Sequence, residues 1–191
     1  CRVRPWGMAQ QYDDITPRVR AFIKRQHLFF VATAARDGRV NVSPKGLDTL
    51  RLLSPNRVAW LNLTGSGNET AAHVLDSPRM TLMFCAFEGK PWIVRVYGTP
   101  TMVQPGDDGW AELADLFPHL PGSRQVFVLN VDLVLTSCGF AVPLYSFEAD
   151  RELLQDWTNN QGDRLDSYRL SKNSVSLDGL PPGLRQDEPH D

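Results

Sequence analysis

The sequence predicts a mainly β (α+β) chain, an antiparallel barrel with short helices attached. Three features point there. Short runs rich in Val, Phe, Thr and Leu recur along the chain, parted by turn residues. Asp37-Gly38 between two such runs is a strong hairpin signal, because that turn needs positive φ. Phe127, Leu129, Val131, Leu133 and Leu135 alternate with their neighbours, which puts all five on one face of a strand. Gly65 and Gly67 look like half of a dinucleotide fingerprint. The third glycine and the alternating βαβ pattern are missing, which argues against a parallel sheet.

The elements follow in order. Thr16 can cap a first helix and Pro17 suits its first turn, with Val19, Phe22 and Ile23 on one face and an end near His27. A strand runs from Leu28 to Ala35. Its return strand starts at Arg39 and sends Asn41, Ser43 and Lys45 to one side, Val40 and Val42 to the other. Pro44 cannot donate to a ladder, so this strand lies at an edge or is bulged. Thr49–Ser54 and Arg57–Leu63 flank a Pro55-Asn56 turn. Asn68 to Ser77 reads as a helix with Ala71, Val74 and Leu75 as its apolar face, and His73 as a cap or surface group.

Arg79 to Phe87 reads as a buried strand. Glu88 to Pro91 turns the chain into Trp92–Val103, where Arg95 and Tyr97 share a face. Asp107 and Asp108 open a helix carrying Trp110, Leu113 and Phe117, their charge suiting its N-terminal end. Gln125 to Ser137 is the next strand, and Arg151 to Trp157 a last short helix. The count is six or seven strands and three or four helices. Residues 1–11 read as an expression scar or flexible arm, with Met8 a plausible start, residues 12–170 as one domain, and residues 171–191 as a tail.

Bulk properties limit the function classes. The 191 residues carry a formal net charge of -2, so no global basic field gathers nucleic acid or anionic membrane. No apolar run approaches the roughly 20 residues of a membrane helix. Cys1, Cys85 and Cys138 are an odd set, unlike a disulfide framework, and suit a reducing, cytoplasmic setting. Cys85 and Cys138 both read as small buried residues. The four histidines are scattered without metal-ligand spacing, so no metal is expected.

The stretch from Val40 to Ser77 carries the chemistry. A strand, the small-residue turn Thr64-Gly65-Ser66-Gly67-Asn68 and a helix start form an anion cradle, because the first helical N–H groups lack partners. Lys45 adds a full positive charge. An ordinary strand-to-helix turn capped by Asn68 or Ser66 uses the same geometry.

The segments FFVATAARDGRVNVSPKG, VAWLNLTGSGNETAAHVLDSPRMTLMF and WIVRVYG, in this order and spacing, resemble the pyridoxamine 5'-phosphate oxidase-like family of FMN-binding split barrels. The resemblance implies a six-stranded antiparallel split β-barrel with short peripheral helices. It also implies a homodimer with FMN at the interface. Carried over, Val42, Ser43, Pro44 and Lys45 would lie along the flavin and ribityl chain. Asn62, Leu63 and Thr64 would follow the next strand edge, and Ser66, Asn68, Glu69 and Thr70 would grip phosphate. Trp92 and Arg95 match the start and the arginine of a further family strand.

The chain departs from the vitamin B6 oxidases of that family. Asn41 stands where they carry arginine, Asn68-Glu69 where they carry a basic or polar pair, and the tail lacks their substrate-binding tryptophan segment. Glu69 beside a phosphate would repel it unless it turns away or bonds backbone. The expectation is therefore an FMN-dependent oxidoreductase acting on a small molecule, with vitamin B6 the doubtful substrate. The alternative is a non-catalytic FMN-binding, redox-sensing or carrier module. Haem would need an axial ligand, for which His73 and His119 are the candidates.

Overall fold

The computed structural model describes residues 9–185. The chain order is β1 (Gln10–Tyr12), α1 (Pro17–Ile23), β2 (Phe29–Ala34), β3 (Val40–Lys45), β4 (Leu50–Ser54), β5 (Arg57–Leu63), α2 (Glu69–Asp76), β6 (Met80–Cys85), β7 (Ile93–Val103), α3 (Trp110–Ala114), β8 (Ser123–Ser137), α4 (Leu153–Gln161) and α5 (Arg164–Lys172). Every strand pairing is antiparallel, in the order β3-β2-β6-β7-β8-β5-β4, with β1 also on β8. The described residues hold eight strands, more than the six or seven expected, because β1 forms from part of the presumed N-terminal arm.

The sheet curls into a split barrel because β7 and β8 are long. β8 spans 15 residues; one end pairs with β5 and the other with β1, while β7 runs along both. Strands far apart in the order therefore meet inside. Phe29 of β2 packs on Trp60 of β5 with ring centres 6.4 Å apart, and Trp60 stacks on Phe127 at 4.8 Å. These rings, with Phe84, Leu82, Val94 and Leu129, are the centre of the main core. A smaller cluster of Leu61, Phe117, Val126 and Val128 lies on the other face, where Trp110 and Leu113 of α3 cover it.

Local signals act as expected at several places. The Thr16 hydroxyl accepts from the Val19 amide at 3.3 Å, and Pro17 opens α1. Gly38 takes φ +104° in the β2–β3 turn. β3 is a true edge strand, which accommodates Pro44.

Five expectations are corrected. The alternation in β8 breaks at Asp132, since Tyr97 pairs with Leu133 but Gly98 with Val131. This bulge flips the inward face: Phe127, Leu129 and Val131 are buried, Leu133 and Leu135 only half-buried, and Val134 and Thr136 turn in. Gly98 sits opposite, where a Cβ would collide with the Asn130 carbonyl.

On α2, Leu75 is exposed and His73 buried, because the helix lays its Thr70, His73 and Val74 side on β2, where Thr33 meets the imidazole. Cys138 is exposed, since β8 ends at Ser137 and the chain leaves the sheet there, whereas Cys85 is buried as expected. One terminal helix was expected, and two form. α5 has no buried residue and a weak apolar pattern; it is held by Arg169 and by Tyr168, whose ring meets Trp157 of α4 edge to face at 4.8 Å. Residues 173–185 then lie back on the domain. The Gln104 amide donates to the Gly183 carbonyl at 2.8 Å, and Arg185 pairs with Asp107 at 2.6 Å. Residues 1–8 and 186–191 lie outside the described residues.

Candidate functional site: a buried cationic cluster

The alternation of β3 divides the expected site residues between two faces. Asn41, Ser43 and Lys45 lie opposite Thr33, Val31 and Phe29 and share their inward side. Val42 and Pro44 turn outward, and Val42 is exposed. The polar face of this strand is therefore its more buried one, the reverse of an ordinary edge strand.

Lys45 is the first member of a cluster that bridges the split in the barrel. Its ammonium lies 5.2 Å from the centre of the Trp60 ring and 3.4 Å from Asn62 Oδ1. Asn62 Nδ2 in turn donates to Gln125 Oε1 at 3.0 Å, both side chains fully inside. A second bulge in β8 brings in the other cation. Asn62 pairs with Gln125 and Leu63 with Ser123, so Arg124 is the extra residue. The broken alternation lets Arg124 and Gln125 both be buried.

The Arg124 guanidinium donates to the Gly67 carbonyl at 3.2 Å and to Asn173 Oδ1 at 2.5 Å. Asn173 Nδ2 donates to the Gly65 carbonyl at 3.1 Å, which fastens the glycine turn from above. Arg169 of α5 completes the set. Its Nε donates to the Thr64 hydroxyl at 3.0 Å, and it also reaches the Ser123 carbonyl and Asp166.

These cations crowd one another. Burial, then the Arg124 charge, pushes Lys45 down to about 8. Burial, then the Arg169 charge, lowers Arg124 as well, though a guanidinium stays charged at neutral pH. Beside them lie buried polar atoms with no partner: Nδ2 and Oδ1 of Asn68, Nε of Arg124 and Nε2 of Gln125. Asn68 stands at the N-cap of α2, yet its side chain makes no capping bond. Most of these atoms are donors, and the arrangement suits an anion.

A neutral polar layer continues from the cluster along β3. The Ser43 hydroxyl donates to Asn41 Oδ1 at 3.2 Å, and Asn41 Nδ2 reaches the Thr70 hydroxyl at 3.4 Å. Thr33 lies 3.2 Å from His73 Nδ1, and His73 Nε2 is unpartnered. The Glu69 carboxylate accepts the Leu177 amide at 3.0 Å, and its Oε1 stays beside the glycine turn, 3.5 Å from where a Cβ on Gly67 would stand.

The remaining expected residues lie elsewhere. Leu63 packs against the smaller core cluster, and Ser66 is exposed. Arg95 donates to the Ser137 hydroxyl at 3.2 Å, and Trp92 stands against Phe22 of α1. Arg124, Gln125, Arg169 and Asn173 were not foreseen. The one available signal was Arg-Gln at the head of an otherwise apolar run.

Comparison with known proteins places this arrangement. The family profile of pyridoxamine 5'-phosphate oxidase matches residues 15–138. The chain belongs to the pyridoxamine 5'-phosphate oxidase family. Within it, the chain is 37% identical over 190 residues to the family protein UstO of Aspergillus flavus, covering 89% of this chain and 76% of that one.

Solved structures share the fold. A variant of HupZ from Group A Streptococcus superposes with a TM-score of 0.53 at 21% identity, over 64% of this chain and 98% of its own. A pyridoxamine 5'-phosphate oxidase candidate from Lactobacillus delbrueckii gives 0.51 at 24% identity, over 64% and 94%. In this family member the cations nearest the glycine turn come from β8 and α5. No described helix is long and apolar enough to cross a membrane.

Proposed function

We propose that this chain binds FMN, with the phosphate at the Lys45–Arg124 cluster, and works as an FMN-dependent oxidoreductase on a small molecule. One observation carries the reading. Buried Arg124 and half-buried Lys45, like charges, stand beside three buried amide atoms of Asn68 and Gln125 that have no partner among the described residues, and Arg124 Nε itself has none. Leaving such atoms unmade costs roughly 1–3 kcal/mol each, so the arrangement gains most when an anion with several acceptor oxygens enters.

The residues present fit that group. Lys45 and Arg124 supply charge, the Asn68 amide and Gln125 Nε2 supply directed donors, and Glu69, the misfit, is committed to Leu177. Asn62 holds Lys45 and Gln125 in fixed relation. Trp60 and Asn173 are fully buried beside the cluster. Bound FMN would supply a ring that takes up or releases hydride.

Family membership supports a flavin, and the departures at Asn41 and Asn68-Glu69 count against vitamin B6 as substrate. The outward apolar side of β3, with Val40 and Val42 exposed, supports a homodimer that shares the cofactor. The free thiols of Cys85 and Cys138 suit a reducing cytoplasm.

Titration of the purified chain with FMN, read by quenching of flavin fluorescence, tests the binding. Anaerobic addition of NADH or NADPH then separates the two readings. Bleaching of the flavin band marks an oxidoreductase. A flavin that binds but does not bleach with either nucleotide or with any substrate marks a carrier or sensor.

A further inference from the structure

The atoms of the Lys45–Arg124 cluster that have no partner are also closed off. Asn68 is 2% exposed, Arg124 4% and Gln125 0%. The open cleft of about 1010 Å3 between α1, the turn joining β6 to β7 and residues 145–147 gives no way in. Trp92, Phe147, Arg18 and Arg25 line it, and no member of the cluster does. Buried groups that take up an anion need a cover that moves.

Most of the cover is fixed. Asn62 and Gln125 stand on paired strands, and α2 buries Ala71, Ala72 and Val74. Residues 173–185 are held differently. The Asn173 side chain is fully buried and bridges Arg124 to the Gly65 carbonyl, which closes the glycine turn. Beyond it Val175 and Leu177 turn outward, 56% and 73% exposed, and Pro182 is the one buried apolar residue of the segment. Polar tethers do the holding. Glu69 in the first turn of α2 accepts the Leu177 amide. Asp178 accepts the Arg39 amide at 2.7 Å and pairs with the Arg39 guanidinium. The Leu180 amide donates to the Ser176 hydroxyl at 3.0 Å, which keeps these two contacts in register, and the far end is tied to Gln104 and Asp107. A segment with so few buried apolar contacts opens at far lower cost than the sheet or α2, and ion pairs near the surface add little to its hold.

We propose that residues 173–185 are a latch over the phosphate site: the segment lifts from the glycine turn to admit the phosphate of FMN and closes again with Asn173 against Arg124. This rests on the assignment of the cluster to that phosphate. Opening then limits exchange in both directions, so a weakened tether speeds entry and exit alike and leaves affinity nearly unchanged. A segment that only supported the fold or the bound flavin would change exit alone.

Stopped-flow mixing of the full chain with FMN, and release on dilution, both read by flavin fluorescence, test this. Asp178→Ala should speed both association and release of FMN at least fivefold, with Kd within threefold and the rates for riboflavin, which lacks the phosphate, within twofold of wild type. In the wild-type chain, FMN should slow hydrogen exchange at the Leu177 and Leu180 amides at least fivefold, and riboflavin should not. Unchanged FMN rates in Asp178→Ala, a faster release with no faster association, equal acceleration of riboflavin, or exchange at Leu177 and Leu180 that FMN leaves unaltered would each overturn the latch. The two readings fail in different ways. A wild-type chain that binds FMN no better than riboflavin refutes the phosphate site and the latch with it. A clear preference for FMN with unaltered rates in Asp178→Ala refutes the latch alone.

Discussion

At the Lys45–Arg124 cluster the cations are buried and held by uncharged groups, whereas at the Trp92 cleft they line an open, aromatic space. The two arrangements cost different amounts. A buried ammonium loses hydration and, here, also faces a second cation, so its charged form is disfavoured in the empty fold. Arg18 and Arg25 at the cleft are exposed. A chain that retains the costly arrangement gains from it only when an anion arrives. The cleft needs no such compensation.

Arg124→Met separates the two regions most sharply. It removes a buried charge and leaves Asn173 Oδ1 and the Gly67 carbonyl without their donor. FMN affinity should fall at least a hundredfold, roughly 2.7 kcal/mol. An unchanged FMN affinity would remove Arg124 from the site, and circular dichroism checks that the variant keeps its fold.

Lys45→Met is next. FMN affinity should drop at least tenfold, or about 1.4 kcal/mol. The FMN-free chain should become more stable at pH 7, by about 1–3 kcal/mol in urea denaturation, because the variant no longer buries a disfavoured charge. The pH dependence follows from the same shift. Folding holds Lys45 at about 8, below an ordinary lysine near 10.5. Between those values the unfolded chain binds the extra proton, so the stability of the wild-type chain should rise through that window and that of Lys45→Met should not.

FMN affinity gives a smaller effect of the opposite sign. The phosphate needs Lys45 charged, so wild-type affinity should weaken by up to about tenfold from pH 7 to pH 9. The variant should be flat over this range.

Glu69→Gln is the smallest change. It weakens the hold on the Leu177 amide, a single bond at the protein surface worth about 0.5–1.5 kcal/mol. Hydrogen exchange at Leu177 should quicken several-fold, with FMN affinity within threefold. A large gain in FMN affinity would instead show that the Glu69 carboxylate opposes the phosphate after all.

Much of the fold was legible because the deciding signals were local. Thr16-Pro17 starts α1, Asp37-Gly38 turns β2 into β3, and Pro44 marks an edge. The two bulges in β8 were not legible. An extra residue at Arg124 or Asp132 leaves no mark in hydrophobic periodicity until its pairing partners are known. That one fact accounts for both the wrong facing of Leu133 and Leu135 and the missed arginine.

The site was half legible for the same reason. Lys45, Asn62, Thr64 and Asn68 lie in one continuous motif and meet in space. Arg124, Arg169 and Asn173 reach the motif from the far end of the chain. Trp92 lies outside that motif and lines the cleft beside α1.

The most direct test compares FMN with riboflavin, which lacks only the phosphate, by calorimetry on the same preparation. A phosphate bound by Lys45, Arg124, Asn68 and Gln125 predicts that FMN binds at least a hundredfold more tightly, and that Lys45→Met removes at least tenfold of that advantage. Equal affinity for the two flavins, or an advantage untouched by the substitution, would contradict the assignment of the buried cationic cluster to phosphate.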